Sequence, residues 1–122
     1  MPNPVTHFEI IGKDAKKTQA FYANLFGWKI DANNPMEYGI VEAQDGRGTG
    51  GGVAGAQPGN NGYVTLYVEV ENPQAYLDKA VSLGGKVVMP VTTLPGMVTF
   101  AQFTDPDGNL IGIAAAMAPP AS

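Results

Sequence analysis

The chain superimposes on itself at a constant shift, and that repeat restricts the fold more than any other feature. Gly27 aligns with Gly85, and 85 − 27 = 58; the same shift pairs Leu25 with Leu83, Asp14 with Asn72 and His7 with Thr65. A repeat of this length is one supersecondary unit used twice, so two similar units packed side by side are expected.

Hydropathy period and end signals give the content of each unit. Residues 5–11 read as a strand, with Thr6, Phe8 and Ile10 on one face and Val5, His7, Glu9 and Ile11 on the other. Asp14 then offers an N-cap, Phe21/Leu25 and Tyr22/Phe26 stand four apart on a helix over 15–26, and Gly27 suits the C′ position. Strands are predicted at 28–30 and 36–43, separated by the turn formers Asn33, Asn34 and Pro35. A glycine-rich stretch, 46–52, leads into residues 53–55, and 58–62 (P-G-N-N-G) links the halves. The second unit starts with a strand over 62–70, placing Tyr63, Thr65, Tyr67 and Glu69 on one face. Asn72 followed by Pro73 is a strong helix start, Leu77, Ala80 and Val81 form its buried stripe, and Gly84 with Gly85 ends it. Strands follow at 86–91 and 97–103, joined through 92–96. The turn Asp105-Pro106-Asp107-Gly108 closes a hairpin onto a last strand at 110–113, and 114–122 is expected to fray.

At 122 residues one domain is the default, 1–122, with modules at about 4–57 and 62–115. No apolar run is long enough to span a membrane, and the N-terminus lacks the regions of a signal peptide. There is no cysteine, which removes disulfides and thiolate chemistry and points to the cytoplasm. A formal charge of −4 with seven Lys+Arg argues against nucleic acid and favours neutral or cationic small ligands over polyanions.

The double βαβββ pattern, F-Y-A-N-L-F-G-W-K-I at 21–30 and D-P-D-G-N at 105–109 together resemble the vicinal oxygen chelate superfamily. This is the glyoxalase, bleomycin-resistance protein and extradiol dioxygenase group, and the likeness runs over about 4–115. It implies an α+β fold in which two modules form a cupped mixed sheet around a cavity, usually as a homodimer. Enzymes of the family hold a divalent metal on one ligand from the first and last strand of each module. By the resemblance those positions fall at His7, Thr65, Gly112 and near 52–54, so one ligand of four survives and no metal or other cofactor is expected. His7 is also the single histidine, which excludes a two-histidine-one-carboxylate iron centre within one subunit.

His7 and Glu9, at i and i+2 on one strand, are the candidate proton-transfer pair. The alternative is that His7 is a hydrogen-bonded remnant of the ancestral ligand position. Tyr63, Thr65 and Tyr67 could orient a ligand by their hydroxyls. Trp28, Tyr38, Met97, Phe100 and Phe103 could wall an apolar pocket, or simply form core. Gly46, Gly48 and Gly51 match G-x-G-x-x-G formally, but no helix follows, so a dinucleotide site is rejected in favour of a mobile loop over the cavity mouth. Arg47, the one arginine, lies in that loop and could clamp a carboxylate or phosphate. The expected function is metal-independent binding of a small, antibiotic-type molecule. The alternative is a glyoxalase-like lyase or isomerase using His7 and Glu9.

Overall fold

The computed structural model describes residues 2–43, 46–94 and 98–115. Its elements are β1 (Val5–Gly12), α1 (Ala15–Phe26), β2 (Ile30–Asp31), β3 (Gly39–Val41) and β4 (Gly51–Gly55), then β5 (Tyr63–Val70), α2 (Pro73–Ser82), β6 (Lys86–Leu94), β7 (Val98–Thr104) and β8 (Leu110–Ala115). This is βαβββ twice, an α+β architecture with mixed strand pairing. By compactness Thr6–Leu66 forms one unit, and residues from Tyr67 on, joined by the N-terminal residues up to Val5, form the other.

In the first unit the hydrogen-bonded order is β2-β3-β4-β1, with β1 and β4 parallel and the other pairs antiparallel. Helix α1 is capped as its sequence implies: the Asp14 carboxylate accepts from the Lys17 amide at 3.1 Å, and Gly27 turns the chain out at φ 71°. Val41, Val53 and Ala54 are the buried apolar residues of this unit, whereas α1 buries none of its own side chains. The Gln19 amide reaches from α1 to the Val53 carbonyl at 2.9 Å.

The second unit has the order β5-β8-β7-β6, with β5 and β8 parallel. Val70, Leu77, Ala101 and Ile113 form its core, with Val68, Val91 and Phe103 against them. The hairpin turn is organised by Asp105, whose carboxylate accepts from the amides of Asp107 and Asn109 and from the Asn109 side chain, each at 2.9 Å. Gly108 follows at φ 93°. Strand β6, last in the order, contains Pro90 and shifts register against β7 twice, between Val87 and Met89 and between Met89 and Thr92.

Several boundaries differ from the sequence reading by more than a single residue. Strand β2 begins at Ile30 rather than 28, because Trp28 is drawn into an aromatic cluster described below. Strand β3 is confined to Gly39–Val41, because the Asn34 side chain brackets the Tyr38 backbone, donating to its carbonyl at 2.7 Å and accepting from its amide at 2.9 Å. Strand β4 begins at Gly51, so the glycine stretch is only partly loop. Strand β6 extends to Leu94. Finally, Ala114 and Ala115 pair in β8 instead of fraying. Residues 95–97, with the expected wall residue Met97, and the remainder of the expected frayed tail, 116–122, lie outside the described residues.

Candidate functional site

Strand alternation on β1 sends His7 and Glu9 to the same side. Glu9 is 8% exposed, a carboxylate that must be hydrogen-bonded to sit there. Two phenols provide the bonds: Tyr38 Oη donates to Oε2 at 2.8 Å and Tyr63 Oη donates to Oε1 at 2.8 Å. His7 Nε2 lies 2.8 Å from the same Tyr38 oxygen. A phenol has one proton, and here it points to a carboxylate that can only accept. His7 therefore donates from Nε2 into Tyr38, which fixes the tautomer. The result is a continuous chain, His7–Tyr38–Glu9–Tyr63, assembled from β1, the loop before β3 and the start of β5.

Tyr38 can occupy this position because Gly52 stands beside Glu9 on the parallel strand β4. A Cβ on Gly52 would fall on the Tyr38 ring near Cζ and the hydroxyl. The second unit repeats the device. Gly112 is paired with Tyr67 across β5 and β8, and a Cβ there would fall on the Tyr67 ring. The Tyr67 hydroxyl accepts from buried Gln102 at 2.8 Å, and Phe100 meets the ring edge-on at 6.3 Å between centroids.

Burial lowers the His7 pKa below its ordinary 6.5, outweighing the opposing pull of the Glu9 charge. The sign of the consequence follows from linkage. A histidine harder to protonate folded than unfolded contributes stability that is complete above about pH 6.5 and is lost as pH falls towards its folded pKa. Urea titrations at stepped pH should show stability declining below pH 6.5, and His7→Gln should flatten that part of the profile. An unchanged slope in the variant would assign the loss to other groups.

The sequence-derived candidates do not all come together. His7, Glu9, Tyr38 and Tyr63 come together in the chain just described. Tyr67 and Phe100 meet in the second unit. Thr65 is buried, its hydroxyl 3.4 Å from the Leu66 carbonyl. Trp28 is elsewhere: it packs on Phe8, Tyr22 and Phe26 with ring centroids 5.3, 5.9 and 5.1 Å away. Phe8 alternates with His7 and Glu9 along β1, so Trp28 serves the helix-facing side and not theirs. Arg47 is exposed in the loop before β4 and forms no link of the hydrogen-bonded chain. Gln102 was not anticipated. Its signal was a polar residue two positions from Phe100 on a strand whose alternation puts both on one face.

No three His, Asp or Glu side chains among the described residues converge as a metal-ligating group. No helix among them is long and apolar enough to cross a membrane.

Comparison with known proteins agrees with this architecture. The family model for the glyoxalase/bleomycin resistance protein/dioxygenase superfamily matches residues 5–113. CFP32 of Mycobacterium bovis, provisionally named a glyoxylase, is 31% identical over 107 residues, 82% of this chain and 41% of its own length. This chain thus spans about two-fifths of the curated relatives it matches. Among solved structures, a superfamily member from Vibrio splendidus has a TM-score of 0.60 at 18% identity, covering 94% of this chain and 100% of that one. Methylmalonyl-CoA epimerase of Streptomyces coelicolor, in complex with 2-nitronate-propionyl-CoA, has a TM-score of 0.66 at 14% identity, covering 97% and 100%. The chain belongs to the glyoxalase/bleomycin resistance protein/dioxygenase superfamily.

Proposed function

We propose that this chain binds a small molecule without a resident metal, using the face that carries His7, Glu9, Tyr38 and Tyr63. The observation that carries this reading is the tyrosine seated over Gly52. The resemblance puts two of the family's four ligand positions at Gly112 and near residues 52–54, and at both Gly52 and Gly112 a phenol ring occupies the space into which a side chain would project. The two remaining groups able to coordinate, His7 and Glu9, are tied to one another through Tyr38. A divalent ion needs at least three converging donors, and this donor set does not fit one. What it does fit is ligand recognition, by placed hydroxyls, an imidazole and a carboxylate beside aromatic surface.

A second reading is favoured by one specific feature. His7 is biased to its neutral form and hydrogen-bonded through a phenol to a carboxylate, an arrangement suited to proton transfer in a lyase or isomerase. Both Glu9 oxygens already accept phenol protons, so turnover would require one of these bonds to yield. We include pairing of two copies in the proposal. It is supported by α1, which leaves Phe21, Leu25 and Phe26 more than half exposed.

Native mass spectrometry with a metal assay on the freshly purified protein tests the first reading. A metal-free species with a co-purified small molecule is the expected result, and a stoichiometric divalent ion would overturn it. With a ligand identified, His7→Ala separates the two readings. Losing one hydrogen bond should leave affinity within about tenfold for a binding protein, whereas a proton-transfer enzyme should lose turnover altogether.

A further inference from the structure

The 58-residue repeat allows one module to report on a space in the other. In the first module Phe8, Tyr22, Phe26 and Trp28 gather in one cluster on the α1 side of β1, with Tyr22 stacked against Phe26 and Trp28 at 6.1 and 5.9 Å between centroids. Adding 58 to each number gives Leu66, Ala80, Gly84 and Lys86. The second module has thus replaced four aromatic side chains by small, aliphatic or polar ones. Beside one of these positions, Ala80, it has a cavity of about 370 Å³ that is open to solvent. Val68 and Val70 of β5, Ile111 and Ile113 of β8, and Ala80 and Leu83 of α2 line it. Ala80 is the counterpart of Tyr22. Val68 and Val70, ten and twelve positions on from the loop residue Pro58, correspond to Ile10 and Gly12 on the helix-facing side of β1.

We propose that this cavity is a binding site for an aromatic carboxylate, its ring lying where the first module places the Tyr22 ring. Room is sufficient, since an apolar void of roughly 150 Å³ already holds a benzene-sized molecule. The acid group follows from charge. Among the described residues Lys79 is the one cationic residue lining the cavity. Of the other polar residues there, Asn3 donates its amide to the Tyr76 hydroxyl at 3.1 Å. Asp105, the anionic residue of the lining, stays charged, but both its carboxylate oxygens are turned into its own hairpin turn, which leaves the Lys79 ammonium as the charge that can meet a ligand. A ring with a carboxylate matches an apolar lining with one ammonium group. The site lies wholly in the second unit and is independent of the His7–Glu9 face.

The test uses 1-naphthoate as probe and 1-naphthalenemethanol as its neutral counterpart, followed by amide NMR shifts. Saturable shifts at Ala80, Leu83, Ile111 and Ile113 are expected with naphthoate. Ala80→Phe, which restores a ring in place of the cavity, should abolish them. Lys79→Met should weaken naphthoate at least fivefold and leave the alcohol unchanged; this second variant stands if the first fails to fold. Absence of saturable shifts at these amides, undiminished binding in folded Ala80→Phe, or equal weakening of both probes by Lys79→Met would each overturn the proposal.

Discussion

Gly52→Val should unfold at markedly lower urea concentration than the wild type, with a loss of about 2–3 kcal/mol. The added carbons cannot coexist with the Tyr38 ring, so either β4 shifts or the tyrosine leaves. If the tyrosine leaves, Glu9 Oε2 and His7 Nε2 lose their shared partner, and a buried carboxylate is left with one phenol bond from this network. The cost is therefore both steric and electrostatic. The diagnostic measurement is a double-mutant cycle with Tyr38→Ala, which empties the space that Gly52→Val needs. The two changes should be strongly non-additive, the double variant being more stable than the sum of the single losses predicts. Simple additivity would show that the ring does not owe its position to the glycine.

Glu9→Gln is the second variant with a large expected effect. The carboxamide keeps the size of the carboxylate but offers one acceptor and one donor group where two phenols donate. One of the two bonds must break or reverse, at about 1–3 kcal/mol. The variant also changes a readout that packing alone would not move. Glu9 raises the His7 pKa against the stronger effect of burial, so its neutralisation should send the His7 titration to still lower pH. His7 is the single histidine, and its ring proton resonances followed against pH are unambiguous. A titration that stays in place or rises would show that Glu9 does not act on His7 through its charge.

The architecture was legible because its signals are local. Asp14 and Gly27 bound α1 at the residues where the helix begins and ends, and the Asp105 turn carries its own hydrogen bonds within five residues. His7 and Glu9 could be placed on one side of β1 by period alone. What the sequence could not reveal was the third member between them. Tyr38 is separated from His7 by thirty-one positions and reaches it from a loop that Asn34 shapes, with Glu37 held at φ 52° just before it. No periodicity describes such a segment. Trp28 was misplaced for a related reason: ring packing against Phe8 and Tyr22 decides its side, and that depends on how the helix lies over β1. The clue that was available lay in the glycines. Gly112 and the stretch near 52–54 looked like empty ligand positions, whereas Gly52 and Gly112 are each the floor beneath a tyrosine.

Strand β6 has a bearing on how the protein survives at high concentration. A terminal strand with a straight row of unpaired amides and carbonyls can recruit an identical strand from another molecule and so start a fibril. Here Val87, Val88 and Met89 are exposed apolar residues that would favour such growth. Pro90 removes an amide in their midst, and the two register shifts spoil the regular spacing a growing template needs. The irregularity of β6 thus acts as a guard against self-templating, at the place where the sequence is most inviting to it.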